Sequence, residues 1–510
     1  MGKRNWPAIG YGAALFLGSA GALVLEIVAG RLLAPYVGMS LYSWTAIIAT
    51  VLAGLSIGHW LGGRLAGPAI DDAQARLRVG WAFALAALAC LLCLPLLRLI
   101  AAPLLASGAP PVLAILVLAG ALFLLPSLFA GIVSPILTRL AVGLSPQAPG
   151  PAIGRMYALG ALGSILGTLA AGLLFLSWLG STATVIAVAA VYGLLALLFA
   201  GRRGGVALAL LAAGAGLLGW GQKTGALGAP CLAESDYYCI RVQDFSPESG
   251  RESRVLVLDH LGHGINDRER PALLYSPYLH LADEMAKRRF GAQGRSAFFI
   301  GGGAYTLPRA WLADDPNPDL VVAEIDPAVT RIAQAHLWLD PRPGLVIDHR
   351  DARVALQALP ARPRFQVVFG DAFHDIGIPP HLTTREFHQA IAARLVPGGF
   401  YAINVIESRR QPRFLKALLA TLRLDFAAVE AWLDEEEYDE GNRVTYLVVA
   451  SDRPSPVDRV AAARGIPRVW RRLPEAELAP DPDTPILTDD FTPVDRLMAH
   501  ILLEPELMER

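Results

Sequence analysis

Between residues 9 and 220 the chain alternates long, nearly uncharged stretches with short polar turns, at 9–35, 43–63, 79–105, 112–137, 156–179, 183–200 and 206–220. Each of the first six is long enough to cross the roughly 30 Å hydrocarbon layer of a bilayer as a helix, and the seventh is marginal. About seven helices are therefore expected over 1–222. A Gly/Pro-rich linker follows at 221–230, and the pattern then changes. "SDYYCIRVQDF" and "SRVLVLDHLGHGIND" cluster β-branched and apolar residues between turn-formers, which predicts strands of a small β unit. From Ser296 onward the short apolar runs "SAFFIG", "LVVAEID", "GLVIDHRD", "FQVVFGDA" and "GFYAINVI" alternate with helical patterns such as "PAVTRIAQAHLWL" and "TTREFHQAIAARLV". That alternation predicts a parallel, doubly wound sheet with ligands at the carboxyl ends of its strands.

The fold class read from the pattern is thus an N-terminal α-helical multispanning membrane domain, then a C-terminal α/β Rossmann-like doubly wound sheet preceded by a small β unit. The expected bounds are 1–222 for the membrane domain, 223–288 for linker and small β domain, 289–455 for the adenosyl-binding catalytic domain and 456–510 for a C-terminal extension. The acidic "AWLDEEEYDEG" (431–441) reads as a solvated connection.

Charge divides the chain at the same place. Of 44 Lys and Arg and 45 Asp and Glu, 12 basic and 3 acidic residues precede residue 224, which leaves 32 and 42 beyond it. So acidic a C-terminal half disfavours nucleic acid and attracts small cations. Arg64, Arg76 and Arg78 flank the second loop between apolar runs, Arg139 and Arg155 the fourth, and Arg202 and Arg203 the sixth, so the positive-inside rule puts the N-terminus and even loops in the cytoplasm. Whether the seventh run crosses then decides which side holds the C-terminal half. Glu26 and Arg31 lie within the first span, where ionisable groups are costly and mark either function or structural pairing. The four cysteines form no metal-type cluster with histidine; Cys231 and Cys239 can pair if they face an oxidising compartment.

Gly301, Gly302 and Gly303 directly follow a strand, so the backbone can turn tightly and a ligand can approach it. Glu324 in "AEIDP" ends the second strand about twenty residues later, where a carboxylate can hold ribose hydroxyls. Asp351 in "HRDAR" ends the third strand, within reach of an adenine amino group, and Asp371 in "FGDAFHD" ends the fourth, facing the place of chemistry. No lysine-bearing phosphate loop is present, and Thr306 stands where G-x-G-x-x-G needs its third glycine. An adenosine without phosphates is favoured over a dinucleotide.

These residues closely resemble the spermidine synthase (polyamine aminopropyltransferase) family, in its form fused to a multispanning membrane domain. The similarity runs over about 253–399, with an echo of the fused members' C-terminal signature in "LTDDFTPVDRL" (487–497). The resemblance implies transfer of an aminopropyl group from decarboxylated S-adenosylmethionine to a diamine such as putrescine, releasing methylthioadenosine, with no tightly bound cofactor. It gives Glu324 the ribose, Asp351 with Ala352 the adenine, and Asp371 the proton-accepting role. His263 in "LDHLGHG" occupies the place of a donor-site glutamine. In "LLYSPYLHLAD", Tyr275 matches the family's amine-channel stretch, Pro277 replaces its glutamate and His280 comes one residue early. Two departures remove amine-binding carboxylates: Ala304 follows the glycines where the family has aspartate, and His374 falls where its D-x-x-D motif ends, with Asp375 one residue later. The partners implied are a polyamine and a lipid bilayer, with a homo-oligomer allowed and no nucleic acid; the location implied is the cell membrane, multi-pass. Two alternatives stay open: an S-adenosylmethionine-dependent methyltransferase of the same fold, and a transporter or sensor with an adenosyl-binding domain.

Overall fold

A computed structural model describes residues 6–67, 70–200, 205–225, 230–373, 377–438 and 443–503. The chain divides into two compact units, Met1–Cys239 and Ile240–Arg510.

The first unit is helical: α1 (Trp6–Val37), α2 (Leu41–Leu65), α3 (Asp72–Ala106), α4 (Pro111–Gly143), α5 (Pro149–Ala170), α6 (Leu176–Ala200) and α7 (Gly205–Lys223), ending in the two-residue strand β1 (Ala233–Glu234). Among the described residues five stretches are long and apolar enough to cross a membrane, the last being the 52 residues Pro149–Ala200. That stretch contains the fifth and sixth expected spans. A π-helical turn at Ala171–Phe175 joins α5 to α6, and Gly180, with φ 74° and ψ 173°, interrupts α6.

In lipid, helices are not driven together by the hydrophobic effect, so they associate through close backbone approach at small residues. Gly54, Gly58 and Gly62 recur every fourth residue of α2 and lie on α4. A Cβ on Gly58 would sit 2.2 Å from the Leu128 carbonyl oxygen, and one on Gly62 2.4 Å from that of Ile132. The glycines of α5 do the same on α1: Cβ atoms at Gly163 and Gly167 would lie 2.2 Å and 2.4 Å from the carbonyl oxygens of Phe16 and Ala20. Gly58→Val is therefore expected to abolish recovery of folded protein from detergent, whereas Gly63→Ala, with nothing within 4 Å of the new methyl, should leave yield and melting temperature unchanged.

In the second unit β2 (Cys239–Asp244), the short helix α8 (Ser246–Ser249), β3 (Ser253–Leu258) and β4 (Leu261–Asp267) form an antiparallel meander. There follow α9 (Pro277–Phe290), β5 (Ser296–Ile300), α10 (Thr306–Asp314), β6 (Asp319–Ala323), α11 (Pro327–His336), β7 (Leu345–Asp348), α12 (Ala352–Ala358), β8 (Phe365–Gly370), α13 (Arg385–Ala392), β9 (Leu395–Ser408) and α14 (Arg413–Leu422). The chain continues through β10 (Ala428–Asp434), β11 (Arg443–Ser451), β12 (Arg459–Ala461) and β13 (Val469–Arg472) to α15 (Val494–Leu503). The sheet order is β12-β13-β10-β11-β9-β8-β5-β6-β7. Strands β9, β8, β5, β6 and β7 run parallel, as the Rossmann-like reading expects. The remaining strands pair antiparallel.

One expectation is corrected. The "AWLD" that opens the acidic segment is the end of β10, with Trp432 fully buried, and only Glu435–Glu437 form a solvated turn. The acidic run masked four residues of strand because charge was weighed over the whole segment.

Chain order reverses across β5. Strands β6 and β7 build outward on one side of it and β8 returns to the other, so the crevice of the topological switch opens at the carboxyl ends of β5 and β8. The core beneath is apolar, with Phe298, Ile300, Val368 and Tyr401 of the strands meeting Phe387, Phe414 and Leu418 of the helices.

Candidate active site

Strand β5 ends in the triple glycine. Gly301 has φ 93° and Gly303 φ 50°, values that disfavour any side chain. A Cβ on Gly301 would lie 2.6 Å from the Asp371 carbonyl oxygen, and one on Gly303 2.9 Å from that of His263. The glycines thus let two other segments close on the turn. The Asp371 amide donates to the Ile300 carbonyl at 2.9 Å, and the Ala304 amide to that of His263 at 3.3 Å. Gly264, next along β4, has φ 131° and packs its Cα face onto Ala304 and Thr306.

Asp371 emerges from β8 at this crevice. Its Oδ1 accepts from the Asn404 amide at 2.8 Å and its Oδ2 from the Tyr278 hydroxyl at 3.1 Å. The Tyr278 ring lies parallel to Phe369, with centroids 6.4 Å apart. Burial pushes the Asp371 carboxyl up to about 6, against the opposing pull of the Asn404 and Tyr278 hydrogen bonds. Burial, and then the Asp371 charge, hold the Tyr278 phenol well above its usual value, so it serves as a donor at neutral pH. Gly301–Gly303, His263, Tyr278 and Asp371 all retain partial solvent exposure, whereas the strand residues leading to them are buried. The crevice is open, and it holds a carboxylate that burial raises to about 6.

The other expected residues divide. Glu324 ends β6 beside the turn, but its Oε2 accepts from the Gly302 and Gly303 amides at 2.8 and 3.2 Å and its Oε1 from the Asp326 amide at 2.9 Å. Burial raises its carboxyl and those three amides oppose the rise. Oε2 therefore has both its lone-pair sites taken, and Oε1 keeps one for a hydroxyl donor. Asp351 caps α12, its Oδ1 accepting from the Arg353 and Val354 amides at 2.9 and 3.2 Å, while Oδ2 meets His381 Nε2 at 2.7 Å. Ala352 is the first, buried residue of that helix. His263 lies on the turn through its backbone, and burial, with His260 nearby, pushes its imidazole down to about 4.

Tyr275 and His280 are not at the crevice network. Tyr275 precedes α9, with its hydroxyl 3.4 Å from Asp267 and its ring edge-on to Phe245. His280 packs edge-on to Trp470 and lies 3.9 Å from Glu284. The cause is helical phase: at 100° per residue, positions 278 and 280 face opposite ways. With Tyr278 turned toward Asp371, His280 must turn from it. Asp375 lies outside the described residues. The residues missed from sequence are Tyr278 and Asn404; an Asn inside the apolar run "FYAINVI" was the available signal, since a buried amide needs a partner.

No protein-family model matches the chain. It is 27% identical over 138 residues to a polyamine aminopropyltransferase of Vibrio vulnificus, spanning 27% of this chain and 46% of that protein. It is 28% identical over 110 residues to a probable polyamine aminopropyl transferase of Bifidobacterium longum, spanning 22% and 24%. Over those stretches the chain is similar to proteins named as polyamine aminopropyltransferases. The chain spans less than half the length of either of these relatives. Among solved structures, a probable spermidine synthase from Corynebacterium glutamicum matches with TM-score 0.44 at 20% identity, over 51% of this chain and 97% of that one.

Tyr278→Phe removes a hydrogen bond that favours the charged carboxylate. The Asp371 midpoint is expected to move above its value near 6, by about half a unit to one unit, as read by a carboxyl-resolved NMR titration of the full chain.

Proposed function

We propose that the second unit transfers an aminopropyl group from decarboxylated S-adenosylmethionine to a diamine such as putrescine, releasing methylthioadenosine, and that Asp371 is its general base. The observation that carries this reading is a carboxylate placed at the switch point of the sheet, against the glycine turn, and raised toward neutrality by its surroundings. A sulfonium makes its neighbouring carbon electrophilic without further activation, so the protein's task is to present an unprotonated amine in line with it. Free alkylamines titrate near 10.4 and arrive protonated. Asp371 would hold the ammonium, take its proton as attack begins and orient the lone pair. Tyr278 and Asn404 fix the carboxylate while it does so. Glu324 is assigned the ribose through the lone pair left on Oε1, and Asp351 and Ala352 the adenine side.

A second reading, methyl transfer from S-adenosylmethionine itself, is favoured by one observation. Ala304 is buried against Gly264 where the aminopropyltransferases have an amine-binding aspartate. The products separate the two, because aminopropyl transfer yields methylthioadenosine and methyl transfer yields S-adenosylhomocysteine. For the first unit we propose residence in the cell membrane as a multi-pass bundle. Its five apolar stretches support this, as do the large apolar side chains it turns outward, among them Trp60, Leu173 and Trp178.

Incubation of the full chain with each donor and a panel of diamines, followed by mass spectrometry, should give methylthioadenosine. Asp371→Asn is expected to bind donor with unchanged affinity and lose at least 100-fold in kcat; full turnover in that variant would remove Asp371 from the mechanism. Because the base must be ionised, kcat/KM of the wild type should fall tenfold per unit as pH drops below about 6. Stability should run the other way. A carboxyl whose folded value lies above its unfolded value of 3.8 stabilises the fold below 3.8 and loses that contribution as pH rises through about 6. Asp371→Asn should therefore melt higher than wild type at pH 8, by an amount that vanishes at pH 3.5.

A further inference from the structure

The first unit carries its own record of orientation. Nine of the twelve Lys and Arg residues before 224 belong to one set of helix ends: Lys3 and Arg4 before α1, Arg64 at the end of α2, Arg76 and Arg78 early in α3, Arg139 late in α4, Arg155 early in α5, and Arg202 and Arg203 after α6. The structure brings the described ends together. Arg76 reaches the Tyr11 hydroxyl of α1 at 3.4 Å, Arg78 donates to the Leu65 carbonyl of α2 at 2.6 Å, and Arg139 donates to the Ile70 carbonyl and lies 3.8 Å from Asp72.

The opposite helix ends hold something different. Residues 231–239 form a loop closed by a disulfide between Cys231 and Cys239. This loop is fastened to the carboxyl end of α1 and the amino end of α6. Arg31 donates to the carbonyls of Tyr237, at 2.5 Å, and Ser235. Glu234 accepts from the Ser181 amide and hydroxyl at 2.8 and 2.7 Å, and Asp236 accepts from the Ser177 hydroxyl at 2.5 Å. The left-handed Gly180 breaks α6 there, which exposes the Ser181 amide to the Glu234 carboxylate. Arg31 is thus a fastening for the loop. The only other Lys and Arg at these ends are Arg98 and Lys223.

We infer that the loop and the transferase unit that follows it lie on the non-cytoplasmic side of the membrane. The inference rests on the multi-pass reading proposed above. Two independent observations converge on it. The arginine-rich ends mark the cytoplasmic face, and a disulfide persists on the oxidising face; the structure puts them at opposite ends of the same helices. Helix α7 follows Arg202 and Arg203 in the chain, and Ile240 follows Cys239 directly, so the second unit begins at the disulfide loop that is fastened to α1 and α6. Its reaction therefore follows a translocation step, because an adenosyl sulfonium derives from ATP chemistry on the other face.

Single cysteines report the side. In spheroplasts expressing the full chain, a membrane-impermeant maleimide should label Glu248→Cys before lysis and Ala73→Cys only after it, each by more than tenfold over background. Both positions are exposed, and the native Cys90 and Cys93 are buried. Peptide mapping without reductant should recover Cys231 joined to Cys239. Labelling of Ala73→Cys before lysis with Glu248→Cys protected, or free thiols at 231 and 239, would overturn the inference. Release of the chain by carbonate washing would overturn it together with the membrane reading. The donor and diamine assay on purified protein is unaffected by either result, so failure of the chemical proposal is seen separately.

Discussion

The second unit depends on the approach of two backbones at the carboxyl ends of β5 and β8. Position 301 has no side chain, and one there would meet the Asp371 carbonyl oxygen at 2.6 Å. Because that space is free, the two strands end side by side, the Asp371 amide closes on Ile300, and the Asp371 carboxylate projects from the point where the sheet changes direction. A displacement of either strand end would move the carboxylate relative to the turn, and positioning errors of about 1 Å are enough to cost a reaction of this kind two orders of magnitude. The remaining contacts at the site elaborate this one. His263 and Gly264 cover the turn from β4, while Asn404 from β9 and Tyr278 from α9 hold the carboxylate from the sides.

What the sequence revealed of this site is what local chemistry determines. A glycine run after an apolar strand, and acidic residues at successive strand ends, are properties of short segments, and Gly301–Gly303, Glu324 and Asp371 were legible for that reason. Tyr278 and Asn404 were not, since their function is a contact across more than thirty residues of chain with no local signature. In the amine-channel stretch, Tyr275 lies before α9 and helical phase turns His280 away, so that Tyr278 is the residue that reaches Asp371. Asp351 shows how a strand-end acid can also serve the fold, since its Oδ1 caps two amides of α12 while its Oδ2 meets His381. The antiparallel strands β10 and β11 were hidden for another reason. Their apolar residues border an acidic turn, and composition averaged over that window favours solvent.

The helical unit was legible as a set of long apolar stretches because the thickness of a bilayer sets a length that can be counted along the chain. Its internal arrangement was less so. Gly163 and Gly167 stand four residues apart on α5, but only the folded chain shows that Phe16 and Ala20 of α1 are the surfaces they meet. Arg31 looked like a group that either served a ligand or sought a partner, and its partners turn out to be two carbonyls of the loop 231–239, some two hundred residues away. Glu26 keeps one buried carboxylate oxygen without a hydrogen bond, so of the two ionisable residues in the first span only the arginine is explained by the fold.

The two proposals bear on each other through electrostatics. Decarboxylated S-adenosylmethionine carries a sulfonium and an ammonium, and an inside-negative membrane potential opposes outward movement of each by about 2.3 kcal/mol per 100 mV. A non-cytoplasmic aminopropyltransferase must therefore receive a donor that has been moved against this gradient, whereas a diamine acceptor already outside faces no such cost. The acidic character of the chain beyond residue 223, 42 acidic residues against 32 basic, acts in the same direction once the donor has crossed. It raises the local concentration of dications within about a Debye length, 8 Å at physiological salt. If orientation and chemistry are both as proposed, the scarce reactant is the sulfonium, because the donor alone must be moved against the potential.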